Sequence, residues 1–225
     1  MWCAAVHPDG SLFVSGDKEG VLRLWAWPPT NRAPKTYPAE RYAPALFSKD
    51  EQHLFLRRDM TNGPAGGWRH DLKTGKAEQL GDSFTPLGFA SDGSRVLPDA
   101  KHSRLLFFQG STDRPLRSVS LDLPSGALDA SVCKRGVNAA GTHFYHLSEA
   151  TGDVSLFSHR DGSCAARGKV SPSEHIGAAI SDDAHWFVSS TWFTLDLLDL
   201  QTGTTTTIQD DVHWPLAMVY HPDGQ

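Results

Sequence analysis

The stretch Val6-His7-Pro8-Asp9-Gly10-Ser11-Leu12-Phe13-Val14-Ser15-Gly16-Asp17-Lys18-Glu19-Gly20-Val21-Leu22-Arg23-Leu24-Trp25 decides the architecture. Short apolar β runs alternate in it with turn chemistry: a strand, a Pro-Asp-Gly turn, a second strand, a Gly-flanked acidic turn and a third strand. Proline presets φ at the second position of such a turn, and glycine tolerates the positive φ that follows. Two apolar runs joined in this way make a hairpin, and here two hairpins follow in tandem.

The same grammar recurs along the chain. Turn signals stand at Phe47-Ser48-Lys49-Asp50, Phe89-Ala90-Ser91-Asp92-Gly93, Ala139-Ala140-Gly141, Ile180-Ser181-Asp182-Asp183 and Tyr220-His221-Pro222-Asp223-Gly224. From Asp9 the steps to Asp50, Asp92, Ala140, Asp183 and Asp223 are 41, 42, 48, 43 and 40 residues. A step near forty is the length of one four-stranded propeller blade. Second strands are predicted at Leu12 to Ser15, Leu54 to Arg57, Arg95 to Leu97, His143 to Leu147 and His185 to Ser189. Third strands follow at Val21 to Trp25, Trp68 to Leu72, Arg104 to Phe108, Val154 to Phe157 and Thr194 to Leu198. Fourth strands are fainter, at Ala77 to Leu80, Leu116 to Leu121, Cys164 to Val170 and Thr204 to Ile208. No segment sustains a 3.6-residue apolar period with capping residues, which predicts an all-β chain.

These repeats resemble the WD-repeat family of β-propellers, most closely at Ser15 to Trp25, where Trp25 falls on the terminal Trp of the repeat and Ala26 replaces the usual Asp. The endings His70-Asp71-Leu72-Lys73-Thr74-Gly75 and Leu198-Asp199-Leu200-Gln201-Thr202-Gly203 keep Asp and the Thr-Gly turn but lose Trp. His175 and His213 are the remnants of the Gly-His pair that the resemblance implies before a first strand. The whole chain, 1–225, is expected to be one propeller domain with units near 1–40, 41–82, 83–126, 127–172 and 173–214 and a partial unit at 215–225. That is about five four-stranded antiparallel blades plus one extra innermost strand, Pro215 to Tyr220, duplicating the role of Trp2 to Val6. Two readings stay open: an incomplete piece of a longer, seven-bladed propeller, which we favour, or a five-bladed ring with a spare tail. In the first, open propeller ends would allow self-association.

Composition narrows the function classes. There are 21 Lys+Arg against 26 Asp+Glu, a formal charge of −5. That balance argues against nucleic acid as a partner, since backbone binders carry a basic patch. No apolar run approaches the ~18 residues of a membrane span, and the amino terminus lacks the basic start of a secretory signal. Cys3, Cys133 and Cys164 are odd in number and give no metal spacing, so they read as small hydrophobes in a reducing compartment, with a cytoplasmic address. The acidic turns Asp17-Lys18-Glu19 and Asp182-Asp183 stop at two carboxylates each, too few for a Ca²⁺ loop. His143 and His146 are three apart on a strand and point to opposite faces, which does not make a zinc site. No metal or cofactor is expected. GxSxG, P-loop and dinucleotide fingerprints are all absent from the sequence.

The remaining candidates are contacts. Trp192, in Ser189-Ser190-Thr191-Trp192-Phe193, falls at the tight turn between second and third strands, where an exposed Trp would anchor an interface. Arg58 opens the longest such loop, Arg58 to Gly66, while Lys18 and His102 fall on the corresponding turns of other repeats. Arg57-Arg58 and Lys134-Arg135 read as solvated turns, and Thr204-Thr205-Thr206-Thr207-Ile208 as a half-exposed outer strand. The resemblance implies a non-catalytic platform binding a protein partner of unknown identity through loops on one rim. The alternative is a propeller hydrolase or lyase with a dispersed central-channel site.

Overall fold

A computed structural model describes residues 3–6, 11–16, 21–26, 34–38, 42–48, 52–58, 67–81, 87–109, 114–128 and 133–209. They form five four-stranded antiparallel sheets, each a meander in chain order, the blades of a β-propeller. The first blade is β1 (Cys3–Val6), β2 (Leu12–Gly16), β3 (Val21–Ala26) and β4 (Lys35–Pro38); the second is β5 (Tyr42–Phe47), β6 (His53–Arg58), β7 (Gly67–Asp71) and β8 (Ala77–Gly81). The third is β9 (Gly88–Phe89), β10 (Arg95–Asp99), β11 (Arg104–Phe108) and β12 (Arg117–Ser120). The fourth is β13 (Cys133–Val137), β14 (His143–Ser148), β15 (Asp153–Ser158) and β16 (Cys164–Lys169). The fifth is β17 (Gly177–Ile180), β18 (Trp186–Ser190), β19 (Thr194–Asp199) and β20 (Thr205–Gln209). Among the described residues the helical content is a single 3-10 turn, Ala100–His102. The extra innermost strand expected at 215–220 lies outside the described residues.

The chain divides into two compact units, Met1–Pro86 with the first two blades and Leu87–Gln225 with the last three. Within the first unit, Val14, Leu24, Phe47, Leu54 and Phe55 are buried. Trp25 stacks on Phe13, its cross-strand partner, with ring centroids 5.7 Å apart, and its Nε1–H donates to Ser15 Oγ at 2.9 Å. Stacking and hydrogen bond together join the second and third strands side chain to side chain.

In the second unit the alternation of strand side chains feeds two cores. Phe107, Val96 and Leu105 from the third blade, with Leu128 from the segment after it, meet Phe144 and Phe157 from the fourth. Tyr145, Leu147, Val154 and Leu156, on the opposite face of the fourth blade, meet Ile180, Phe187 and Leu198 of the fifth. A sheet covered on both faces buries consecutive residues in place of strict alternation, as at Phe144-Tyr145-His146-Leu147, every residue of it buried. Tyr145 also donates its hydroxyl to Ala178 O at 2.9 Å, tying β14 to β17. Gly136 makes that possible, because a Cβ there would lie 2.7 Å from the Tyr145 ring.

The Asp-Leu-x-Thr-Gly endings are turns of one build. Asp71 Oδ1 accepts the amides of Lys73 and Thr74, and Asp199 Oδ1 accepts those of Gln201 and Thr202. Gly75 and Gly203 close the two turns at φ 71° and 73°, backbone that only glycine takes without strain. The basic pairs, by contrast, are not turns. Arg57 and Arg58 end β6, and Lys134 and Arg135 lie inside the innermost strand β13. A strand sends neighbouring side chains to opposite faces, so the Lys134–Arg135 pair never acts as one patch. Lys134 instead forms an ion pair with Glu149 at 3.0 Å.

Candidate interaction turns

In the second unit the turns between second and third strands are built differently in each blade. The third blade leaves β10 through Asp99, makes the Ala100–His102 turn and enters β11 at Arg104. Ser103 sits there at φ 49°, a left-handed position rare for a side-chain-bearing residue. It is held by its hydroxyl, which donates to Pro124 O at 2.6 Å, and by its carbonyl, which accepts Leu121 N–H at 2.8 Å. Asp99 Oδ2 accepts from His102 Nδ1 at 2.9 Å and from Arg104 Nε at 2.7 Å. Desolvation opposes ionisation of Asp99, but the hydrogen bonds from Arg104 and His102 outweigh it and hold the carboxyl below its usual range. His102 is therefore an exposed ring fixed at one nitrogen, on a turn whose charges are already partly matched.

The fifth-blade turn is uncharged. Thr191 N–H donates to Thr194 O at 2.9 Å, and the Thr191 hydroxyl oxygen accepts the amides of Phe193 and Thr194 at 3.2 and 3.1 Å. The two threonine hydroxyls bond each other at 2.8 Å. A turn pinned in this way leaves two residues at its tip. Trp192 folds to half-buried, and Phe193 stands out with 79% of its surface exposed. The exposed aromatic at this tip is thus Phe193, one residue beyond the expected Trp192.

Behind the turn lies a buried polar seam. Asp196, on β19, accepts Ser171 N–H at 2.8 Å and the Thr207 hydroxyl at 2.7 Å. His175, also buried, donates from Nε2 to Ser171 O at 3.1 Å, and burial pushes its pKa down. Ile176 N–H bonds Ser190 O at 2.7 Å. These bonds fasten the fourth-to-fifth connection onto the fifth blade. Ser189 Oγ and His175 Nδ1 have no hydrogen-bond partner. The serine has a direct counterpart: Phe187 pairs with Leu198 as Phe13 pairs with Trp25, so Ser189 stands where Ser15 does. With leucine at the tryptophan position there is no indole N–H to donate.

The other sequence candidates divide as follows. His102 and Trp192 occupy equivalent turns of the third and fifth blades. Lys18 lies outside the described residues, as do 59–66 of the long loop; Arg58 is the last residue of β6, with its side chain outside the description. Phe193, Asp99 and Asp196 were not singled out from sequence, and His175 was read only as a remnant of the Gly-His pair, not as part of a seam with Asp196. For Phe193 a signal was present: Thr191 and Thr194 bracket a two-residue tip, a spacing that lets their hydroxyls close the turn.

Among the described residues no group of three or more His, Cys, Asp or Glu could hold a metal ion, and no helix is long and apolar enough to cross a membrane. Neither Cys133 nor Cys164 is in a disulfide. No protein-family model matches this sequence, and no curated protein matches it.

Proposed function

We propose that this chain is a non-catalytic interaction platform, a WD-repeat-like scaffold that grips a protein partner through the turns between the second and third strands of its blades. One observation carries the reading: a hydrogen-bonded turn holds Phe193 in water at 79% exposure. An aromatic side chain presented on a rigid turn loses little conformational freedom when it is covered, which is the economy of an interface anchor. Trp192 beside it and the exposed His102 on the third-blade turn extend the set to groups that add apolar area and a hydrogen-bonding ring. The Trp25–Ser15 bond and the aspartate-closed Thr-Gly turns support the family part of this reading. A cytoplasmic address belongs to it as well and rests on the odd cysteine count.

The test is site-specific photo-crosslinking from position 193, from position 102 and from exposed Asp161 on the turn between β15 and β16. The reading predicts one discrete protein adduct from 193 and 102, weakened at least tenfold by Trp192→Ala, and none from 161. Equal labelling at all three positions would contradict it.

A further inference from the structure

Each blade ends in an outer strand whose far edge has no strand beside it among the described residues. Such edges pair readily with other chains unless something blunts them, commonly a Lys or other charge, a Pro or a bulge. Four of the five edges here carry such a device. β4 contains Lys35 and Pro38. β8 contains Glu78, ion-paired with Arg69, and its register against β7 shifts. β12 is short and contains Arg117. β16 contains Arg167 and Lys169, and its register against β15 shifts.

β20 has none of them. Its sequence is Thr-Thr-Thr-Ile-Gln, uncharged, free of Pro and Gly, and rich in β-branched residues that suit an extended strand. It pairs with β19 in unbroken register from Thr205 to Gln209. Thr206 and Ile208 point to one face and both are exposed, Ile208 at 44%. The strand is also firmly seated from the other face. Thr207 donates to Asp196, and Thr205 donates to Lys169 O of the neighbouring blade at 2.5 Å. It is therefore a rigid template.

We propose that the outer edge of β20 pairs with β20 of a second copy of this chain, antiparallel about a twofold axis, joining two fifth blades into one continuous sheet. The choice of occupant follows from charge. A twofold pairing sets an edge against a copy of itself, so an unmatched charge on it brings a second charge of the same sign into one short ladder, which opposes pairing. Lys35 on β4 and Arg167 and Lys169 on β16 bring that penalty. Glu78 is matched by Arg69 and Arg117 lies over Phe107, so β8 and β12 are blunted by a register shift and by length instead, and β20 has none of these. The pairing rests on the β20 edge and not on Phe193 as a partner anchor; the Gln209 end of β20 lies beside Thr194, the residue that closes that turn.

The experiment is sedimentation equilibrium of the full chain over a wide concentration range, on the native sequence, Thr206→Lys, Ile208→Lys and a control, Ser118→Lys on the β12 edge. All three sites are exposed, and circular dichroism checks that each variant is folded. The native chain and Ser118→Lys should rise toward twice the monomer mass, while each β20 variant should self-associate at least tenfold more weakly. A native chain that stays monomeric up to millimolar concentration overturns the proposal and leaves the edge to a strand from a different protein. Association undiminished in both β20 variants overturns it too, by placing the contact elsewhere. Should a lysine variant fail to fold, amide hydrogen exchange of the native chain decides. Exchange in 205–209 that slows with rising concentration supports the pairing, and exchange independent of concentration refutes it.

Discussion

The fourth and fifth blades are built on one register and used differently. Phe144–Phe157 and Tyr145–Leu156 in the fourth correspond to Phe187–Leu198 and Val188–Leu197 in the fifth. In the fourth blade both pairs are buried, one against each neighbour. In the fifth, Phe187 and Leu198 are buried against the fourth blade, but Val188, Leu195 and Leu197 on the other face are only half-buried. The turns differ in the same sense. The fourth-blade turn is tied down by Lys134–Glu149 and by Gly152, where a Cβ would lie 2.2 Å from Val170 O, whereas the fifth-blade turn presents Phe193. Matching ladders between second and third strands thus supply either cohesion or contact surface, and side-chain choice decides which.

Substitution of the equivalent positions sharpens that division. Phe157→Ala, in the fully buried third–fourth core, should cost ~3–5 kcal/mol in urea unfolding. A cost under about 1 kcal/mol would mean that the fourth blade is not the cohesive one.

Acid should act on the same core. His159 is buried there, its ring edge-on to Phe107 at 5.5 Å and its Nδ1–H donating to Gly141 O, and burial pushes its pKa down to about 4. Arg117 secures the site, donating to His159 O at 2.7 Å with its guanidinium 3.5 Å above the Phe107 ring. The unfolded chain binds a proton near pH 6.5 that the folded chain refuses until about pH 4. Stability from this group is therefore complete above pH 6.5 and lost as pH falls toward 4, by on the order of 3 kcal/mol. His159→Gln should flatten that limb of the urea midpoint against pH, and an unchanged limb would assign the acid sensitivity elsewhere.

Between the two blades, Gly136→Ala should cost ~1–3 kcal/mol by pushing the Tyr145 ring off its seat. Tyr145→Phe should cost a similar ~1–3 kcal/mol by leaving Ala178 O without its donor. Their double mutant, measured by the same unfolding, should cost less than the sum, because both act on one hydroxyl contact. The smallest effect belongs to Phe193→Ala, within about 0.5 kcal/mol of the native stability. A large loss there would make Phe193 a structural residue and break the comparison.

The repeat was legible because its turns are chemically distinct. Asp, Gly and Thr-Gly at forty-residue steps mark where the chain must reverse, and the second and third strands between them fall within a residue or two of their expected bounds. Strand β4 was not read: Lys-Thr-Tyr-Pro ends in a residue that cannot donate to a ladder, a mark of edge strands and loops alike. Lys134-Arg135 misled for a different reason. Charge suggests solvent, but a strand separates neighbouring side chains onto opposite faces, where Lys134 finds a carboxylate. For the contact residues, sequence located the fifth-blade turn but not which aromatic it exposes. That depends on the Thr191 hydroxyl accepting two tip amides, a three-dimensional closure. The asymmetry of the outer edges needed the sheet order, since only the terminal strand of each blade requires protection.

The central claim, cohesion in the fourth blade and contact through the fifth, is read most directly by amide hydrogen exchange of the native chain at low and high concentration. The account predicts slow, concentration-independent exchange across β14 and β15 and a concentration-dependent slowing confined to 205–209. Slowing in β16 in place of β20, or fast exchange through β14 and β15 at both concentrations, would contradict it.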